Sequence, residues 1–143
     1  MTIERIQDLF LSEINIIENI ISLSNPQNEV RKDQLQTKDI FSEKWIVANE
    51  YEDVEKLFEF QYDWFLTLYG FDSLIDFKEY LRDKKTIIDT GCGLGYKSAW
   101  FAQIAPHSLV IGIDISDSIE VASKRFKSIP NLYFLKVILL QRT

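Results

Sequence analysis

Apolar residues recur at three- and four-residue steps from the start of the chain: Ile3, Ile6, Phe10, Ile14, Ile17 and Ile21, with Glu4, Asp8, Glu13 and Glu18 between them. That spacing predicts an amphipathic helix reaching about Ser24, where Asn25-Pro26 stops it. Leu9, Leu11, Ile16, Ile20 and Leu23 broaden its apolar face. Such a face suits a helix docked on its own domain; a dimer helix or a lid over a ligand pocket is the sharper alternative. Acids interrupt the segment and no basic stretch precedes it, so it does not read as a signal peptide. Residues 25–40 are polar and read as a loop or linker. A second helix fits about Tyr51 to Tyr69, with Val54, Leu57, Phe58, Tyr62, Phe65 and Leu68 on one face and Gly70 as its stop. A third fits about Ser73 to Arg82 with Asp72 as N-cap. Nine aromatic residues lie between Phe58 and Tyr80, and most are expected in the core.

From Lys85 the periodicity changes. Thr86-Ile87-Ile88-Asp89 and Leu109-Val110-Ile111-Gly112-Ile113-Asp114 are short, nearly continuous apolar runs suited to buried parallel strands, and Leu132-Tyr133-Phe134-Leu135 is a third. Helices fit between them, about Tyr96 to Ala105 and about Ser118 to Lys127. The second of these has Asp117 as N-cap and Glu120 as its capping-box partner. Strand, helix, strand, helix, strand predicts an α/β fold, one half of a doubly wound parallel sheet, preceded by a helical extension. The division expected is residues 1–84 for the extension and 85–143 for a partial ligand-binding domain.

Composition narrows the function. A chain of 143 residues with 46% hydrophobic and 13% aromatic residues has material for one well-filled core. One Cys and one His exclude a disulfide framework and a structural zinc site built from those residues. No apolar run is long enough to span a membrane, so a soluble, cytoplasmic protein is expected. The net charge is −6, and residues 1–85 carry 10 Lys/Arg against 18 Asp/Glu. An acidic chain without a basic stripe is a poor partner for nucleic acid or an anionic membrane.

The chemistry lies in Thr90-Gly91-Cys92-Gly93-Leu94-Gly95, directly after the first strand. Glycines there permit a tight turn and a close approach of backbone to ligand. Asp114 ends the next strand, 23 residues after Gly91, where a carboxylate can accept from both hydroxyls of a ribose. Together they indicate an adenosine-type cofactor. A dinucleotide fingerprint would need glycine at position 96, which is Tyr96, so a nucleotide-dependent oxidoreductase is disfavoured. His107 follows Pro106 at the start of a strand, the edge opposite to where ligands bind in such sheets, and reads as a surface histidine. Cys92 reads as a small turn residue, with nothing basic nearby to make a thiolate.

The motif is D-x-G-x-G-x-G with Asp89 at the strand end, and here the chain resembles the class I S-adenosylmethionine-dependent methyltransferases. Ile87 to Gly95 matches the family's first motif, Val110 to Ser116 its second, and Pro130 to Leu135 is similar to its third-strand entry. The resemblance implies S-adenosylmethionine as cofactor and Asp89, Gly91, Cys92, Gly93, Gly95, Asp114 and Ile115 as its binding residues. Backbone of Gly91, Cys92 and Gly93 would lie along the methionine moiety and Asp89 near its amino group. Asp114 would hold the ribose, its loss barely changing the fold, and Ile115 would pack on the adenine. Helix capping or turn stabilisation is the alternative role for Asp89. Tyr96, Trp45 and Trp64 are candidates to face the sulfonium. No catalytic base and no metal ligands are identifiable.

The helical lead-in, including Phe41-Ser42-Glu43-Lys44-Trp45, is similar to that of small-molecule methyltransferases, so a small-molecule acceptor is expected. The family's adenine-contacting acid is replaced by Lys136-Val137-Ile138. Further strands of the family fold do not follow, so the chain reads as truncated, inactive alone, and prone to self-association through an uncovered sheet edge beside the third strand. A non-catalytic remnant or cofactor-binding module is the second reading.

Overall fold

A computed structural model describes residues 3–23 and 54–137. In chain order its elements are α1 (Ile3–Gln7), β1 (Ile14–Ile17), β2 (Ile20–Leu23), α2 (Val54–Leu68), α3 (Leu74–Leu81), β3 (Thr86–Thr90), α4 (Tyr96–Ile104), β4 (Leu109–Asp114), α5 (Ser118–Arg125) and β5 (Leu132–Lys136). The strands form one sheet in the order β1-β2-β5-β4-β3. The last three run parallel, with Asp89 opposite Gly112 and Asp114 opposite Lys136. This is the expected half of a doubly wound sheet, and the register aligns the carboxyl ends of β3 and β4.

Alternation along the strands builds two cores. Val110, Leu132 and Phe134 face one side, where Ala99, Trp100 and Phe101 of α4 and Ile119 and Ala122 of α5 cover them. Phe77 and Leu81 of α3 and Leu66 of α2 extend that layer. Leu109, Ile111 and Leu135 face the other side against Ile6 and Ile21, all five essentially inaccessible to solvent. Both crossover helices thus lie on one face, as right-handed connections between strands added in one direction require.

The N-terminal segment departs from the helix expected over residues 3–24. It forms one short helix and then the β1–β2 hairpin, joined by Glu18-Asn19, with Glu18 at a φ of 55°. Isoleucine loses χ1 freedom in a helix and packs well on a pleated sheet, so an isoleucine-dense segment with a sheet beside it favours a strand. Asn19 fastens the hairpin: its carbonyl accepts from Phe134 N–H at 2.8 Å, its Nδ2 donates to Ser123 O at 3.2 Å, and its Oδ1 accepts from the Ser123 hydroxyl. β2 then pairs parallel with β5, Ile20 opposite Phe134 and Ile21 opposite Leu135. The edge beside the third parallel strand, expected to be bare and to drive self-association, is therefore occupied by the chain's own β2.

The helix ends also show where local signals held. Gly70, at a φ of 79°, stops α2 in a Schellman motif: Phe71 N–H bonds Leu66 O at 2.9 Å and Gly70 N–H bonds Thr67 O at 3.2 Å. The N-cap of α3 is Ser73 rather than Asp72, its Oγ accepting from Asp76 N–H at 3.2 Å. Asp117 does precede α5 but makes no side-chain cap. Its carboxylate and that of Glu120 instead take Lys136 Nζ from the end of β5, and the capping box does not form. Of the nine aromatics between Phe58 and Tyr80, Phe58, Tyr62, Phe65, Phe71 and Phe77 pack in the cores, most of them as expected, while Phe60, Trp64, Tyr69 and Tyr80 are more than half exposed. No described helix is long and apolar enough to cross a membrane.

Candidate functional site

β3 ends at Thr90, and the chain turns back across the carboxyl edge of the sheet through Gly91–Gly95. Gly91, Gly93 and Gly95 adopt φ values of 74, 55 and 80°, which side chains other than glycine rarely reach. The loop is tied to the end of β4. Ile113 O accepts from Gly91 N–H at 2.7 Å and Cys92 N–H at 3.0 Å, and Asp114 Oδ2 accepts from Gly93 N–H at 2.8 Å. Leu94, 1% exposed, anchors the turn from below beside Tyr96.

Gly95 has a second requirement besides its dihedral. A Cβ there would lie 2.8 Å from the Phe134 ring and 2.9 Å from Ala122 Cβ, so the residue is a contact point between the start of α4 and the core. At Gly91 a Cβ would meet nothing within 4 Å. The loop therefore packs tightly on its sheet side at Gly95 and opens to space at Gly91.

Asp114 is buried at the tip of β4, and both its oxygens are used. Oδ2 takes the Gly93 N–H and Oδ1 the Ser116 N–H at 2.9 Å, while its backbone carbonyl takes Val137 N–H at 3.0 Å. It joins the glycine loop, the turn into α5 and the end of β5. This corrects the expectation that its loss would barely alter the fold. A carboxylate offers about four acceptor directions, so capacity for a ligand's hydroxyls remains after these two bonds.

Asp89, at the end of β3, lies across the loop from Asp114. Ser98, buried on α4, donates to its Oδ2 at 2.6 Å, and among the described residues no bond to Oδ1 is seen. Burial raises the Asp89 pKa above the ordinary carboxylate value, and the Asp114 charge adds to this; the Ser98 hydroxyl and Lys97 act in the opposite direction. Cys92 is driven the other way from reactivity. Burial first, then the Asp89 and Asp114 charges, push its thiol far up, and it stays protonated. Ile115 is half-buried in the turn after β4. The buried hydroxyls of Ser116 and Ser118 bond each other there.

The aromatic candidates for a sulfonium contact fare differently. Tyr96 stacks on Phe58 with ring centroids 4.3 Å apart, meets Phe126 edge-on, and lies under the Arg125 guanidinium. Its ring is committed to packing. Trp64 is exposed on α2, and Trp45 lies outside the described residues. His107 is exposed at the opposite end of the sheet, where Nε2 donates to Leu81 O at 2.9 Å. Two residues that sequence reasoning passed over matter here. Ser98 holds Asp89, and Gly112 makes room for it, since a Cβ at position 112 would lie 2.8 Å from Ser98 Oγ. Ser98 is fully buried on α4, and nothing in the sequence signalled its partner.

The open space at Gly91, the unbonded oxygen of Asp89 and the spare acceptor directions of Asp114 fit a ligand carrying an amino group and a ribose. A parallel sheet with this turn and this strand-end acid is that of a class I S-adenosylmethionine-dependent methyltransferase. Comparison with family models narrows the class: the model of the protein-L-isoaspartate(D-aspartate) O-methyltransferases matches residues 34–139, and the chain belongs to that family. Its cofactor is S-adenosylmethionine, the methyl donor of the family. A search of curated proteins gave no significant match. The family match overturns one expectation. Its members methylate protein substrates, so the small-molecule acceptor read from the helical lead-in is corrected.

Proposed function

We propose that this chain transfers a methyl group to the carboxylate of isoaspartyl residues in altered proteins, binding its cofactor through Asp89, Gly91, Cys92, Gly93, Gly95, Asp114 and Ile115. The observation that carries the reading is the family match over residues 34–139, which contains every one of these positions. In this reading the cofactor-binding unit starts at residue 85, one residue before β3.

When bound, S-adenosylmethionine supplies a methyl group on a sulfonium centre and departs as a neutral thioether. The isoaspartyl acceptor is a carboxylate, ionised at neutral pH, so no proton has to be removed from it. None of the described groups beside the loop, Asp89, Asp114, Cys92, Ser98 and Lys97, then has to act as a base. Asp89 Oδ1, which no described residue bonds, would accept from the cofactor's amino group, and Asp114 would accept from its ribose hydroxyls. The N–H groups of Gly91, Cys92 and Gly93 are all spent within the fold, so the loop contributes shape and carbonyl oxygens there. Keeping Cys92 protonated also removes a thiolate that would compete for the methyl group. The remaining work is alignment and exclusion of water.

The test is transfer of labelled methyl from S-adenosylmethionine to a peptide containing one isoaspartyl residue. The matched aspartyl peptide is the control. The expected result is a base-labile methyl ester on the isoaspartyl peptide alone. Equal labelling of both peptides, or labelling of neither, rejects the acceptor.

A further inference from the structure

We infer that Ser98 is a positioning residue for the cofactor, holding the Asp89 carboxylate so that its second oxygen meets the cofactor's amino group. This rests on the reading of Asp89 as a cofactor ligand. Ser98 is fully buried on α4, behind the glycine loop, and its hydroxyl donates to Asp89 Oδ2 at 2.6 Å. A carboxylate at a strand end with one free side chain torsion after another would otherwise sample several orientations. One short bond to one oxygen fixes the plane of the group and leaves Oδ1 without a bond from any described residue.

The backbone opposite supports the same assignment. Asp89 and Gly112 are register partners on β3 and β4, and Gly112 carries no side chain where a Cβ would lie 2.8 Å from Ser98 Oγ. Three neighbouring residues on three adjacent elements are therefore fitted to each other: an acid, the hydroxyl that holds it, and the glycine whose bare Cα leaves room for that hydroxyl and for the Phe134 ring. A buried serine on a helix face otherwise bonds back to its own helix; here it reaches across to the site.

The charges facing Asp89 set the sign of the pH effect. Lys97 on α4 favours the carboxylate; Asp114 at the end of β4 opposes it, and Cys92 in the loop is uncharged. The Ser98 hydroxyl favours the ionised form, so its removal makes Asp89 easier to protonate. Accepting from an ammonium group requires the ionised form. Cofactor affinity then falls as pH falls through the Asp89 titration, and Ser98→Ala moves that fall to higher pH.

The experiment measures S-adenosylhomocysteine binding by calorimetry from pH 5 to 8 for the full chain, Ser98→Ala, Asp89→Asn and the double variant. Thermal melts serve as the folding control. Ser98→Ala is expected to weaken binding about tenfold at neutral pH, with its acid limb displaced upward. In the Asp89→Asn background, Ser98→Ala is expected to have no further effect. An unshifted limb with wild-type affinity, or full additivity in the double variant, overturns the inference. Should Ser98→Ala melt below the assay temperature, Ser98→Cys replaces it, with similar shape and a much weaker donor; a wild-type limb in that variant overturns the inference equally. Asp89→Asn binding as tightly as wild type would instead reject Asp89 as a ligand, which separates the two failures.

Discussion

Gly91 and Gly95 share a left-handed backbone but differ in what surrounds them, and this allows two contributions to stability to be separated. Alanine at either position, or at Gly70 with its φ of 79°, meets the unfavourable left-handed region, at about 1–2 kcal/mol. At Gly70 and Gly91 the new methyl enters open space, so that is the whole expected cost. At Gly95 it lies 2.8 Å from the Phe134 ring and 2.9 Å from Ala122 Cβ. Phe134 is fully buried between α4 and α5, and Ala122 is fixed to a helix backbone, so neither can withdraw freely. Overpacking of a filled core adds about 1–3 kcal/mol. Gly95→Ala is therefore expected to lose about 2–5 kcal/mol in all, and the other two variants about 1–2 kcal/mol each. Urea unfolding followed by tryptophan fluorescence gives the three differences under one set of conditions. A Phe134→Leu background should relieve part of the Gly95→Ala loss and none of the Gly91→Ala loss. Equal losses at Gly91 and Gly95, or no relief by Phe134→Leu, would refute the assignment of Gly95 as a packing contact.

Asp114→Ala is expected to weaken S-adenosylhomocysteine binding and also to lower the melting temperature, because it strips the Gly93 and Ser116 N–H groups of their acceptors, at about 1–3 kcal/mol for each buried group left unpaired. Wild-type stability in that variant would contradict the joining role. Asp89 should produce an opposite effect on the ligand-free protein. Its folded pKa is raised, so the folded state holds its proton more tightly, and stability declines as pH rises from the ordinary carboxylate range through the raised value. Asp89→Asn should remove that decline and melt higher than wild type at pH 7; a lower melting temperature across the whole range would reject the sign. Cys92, held protonated by burial and two nearby carboxylates, should alkylate far more slowly at pH 8 in the folded chain than in urea. Equal iodoacetamide rates in the two states would show that the thiol is not so held.

The carboxyl-terminal half was legible because its signals are local. Continuous apolar runs around Ile87, Ile111 and Phe134 declare buried parallel strands, and a glycine turn between strand and helix needs no distant partner to be recognised. Gly70 and the end of α2 were legible for the same reason. The misreadings share a different cause: each was decided by a residue far away in sequence. Ile14, Ile17 and Ile21 satisfy a helical period, but the strand wins because β5 offers an unpaired edge and Leu135 a packing partner over a hundred residues later. Asp117 has the composition of a cap, yet Lys136 from β5 takes its carboxylate. Asp114 was recognised as a strand-end acid, while its part in the fold was not, since its partners are the backbone N–H groups of Gly93 and Ser116, which have no letter in a sequence.

That last case bears on how the site works. The atoms that would grip the cofactor are also the atoms that close the loop over the end of β4, so binding and local order are coupled at Asp114. A ligand that accepts this arrangement stabilises the loop, the α5 turn and the β5 end together. The stabilisation follows mass action, about 2.7 kcal/mol when the ligand is at a hundred times its dissociation constant. Asp89 behaves differently, because its buried charge costs stability in the free protein and is compensated only when a cation or donor arrives. One carboxylate thus holds the site together before the ligand comes, and the other is kept in readiness for it. The motif gives the two acids different ligand contacts; burial of Asp89 and the backbone bonds of Asp114 give them opposite contributions to the stability of the ligand-free fold as well.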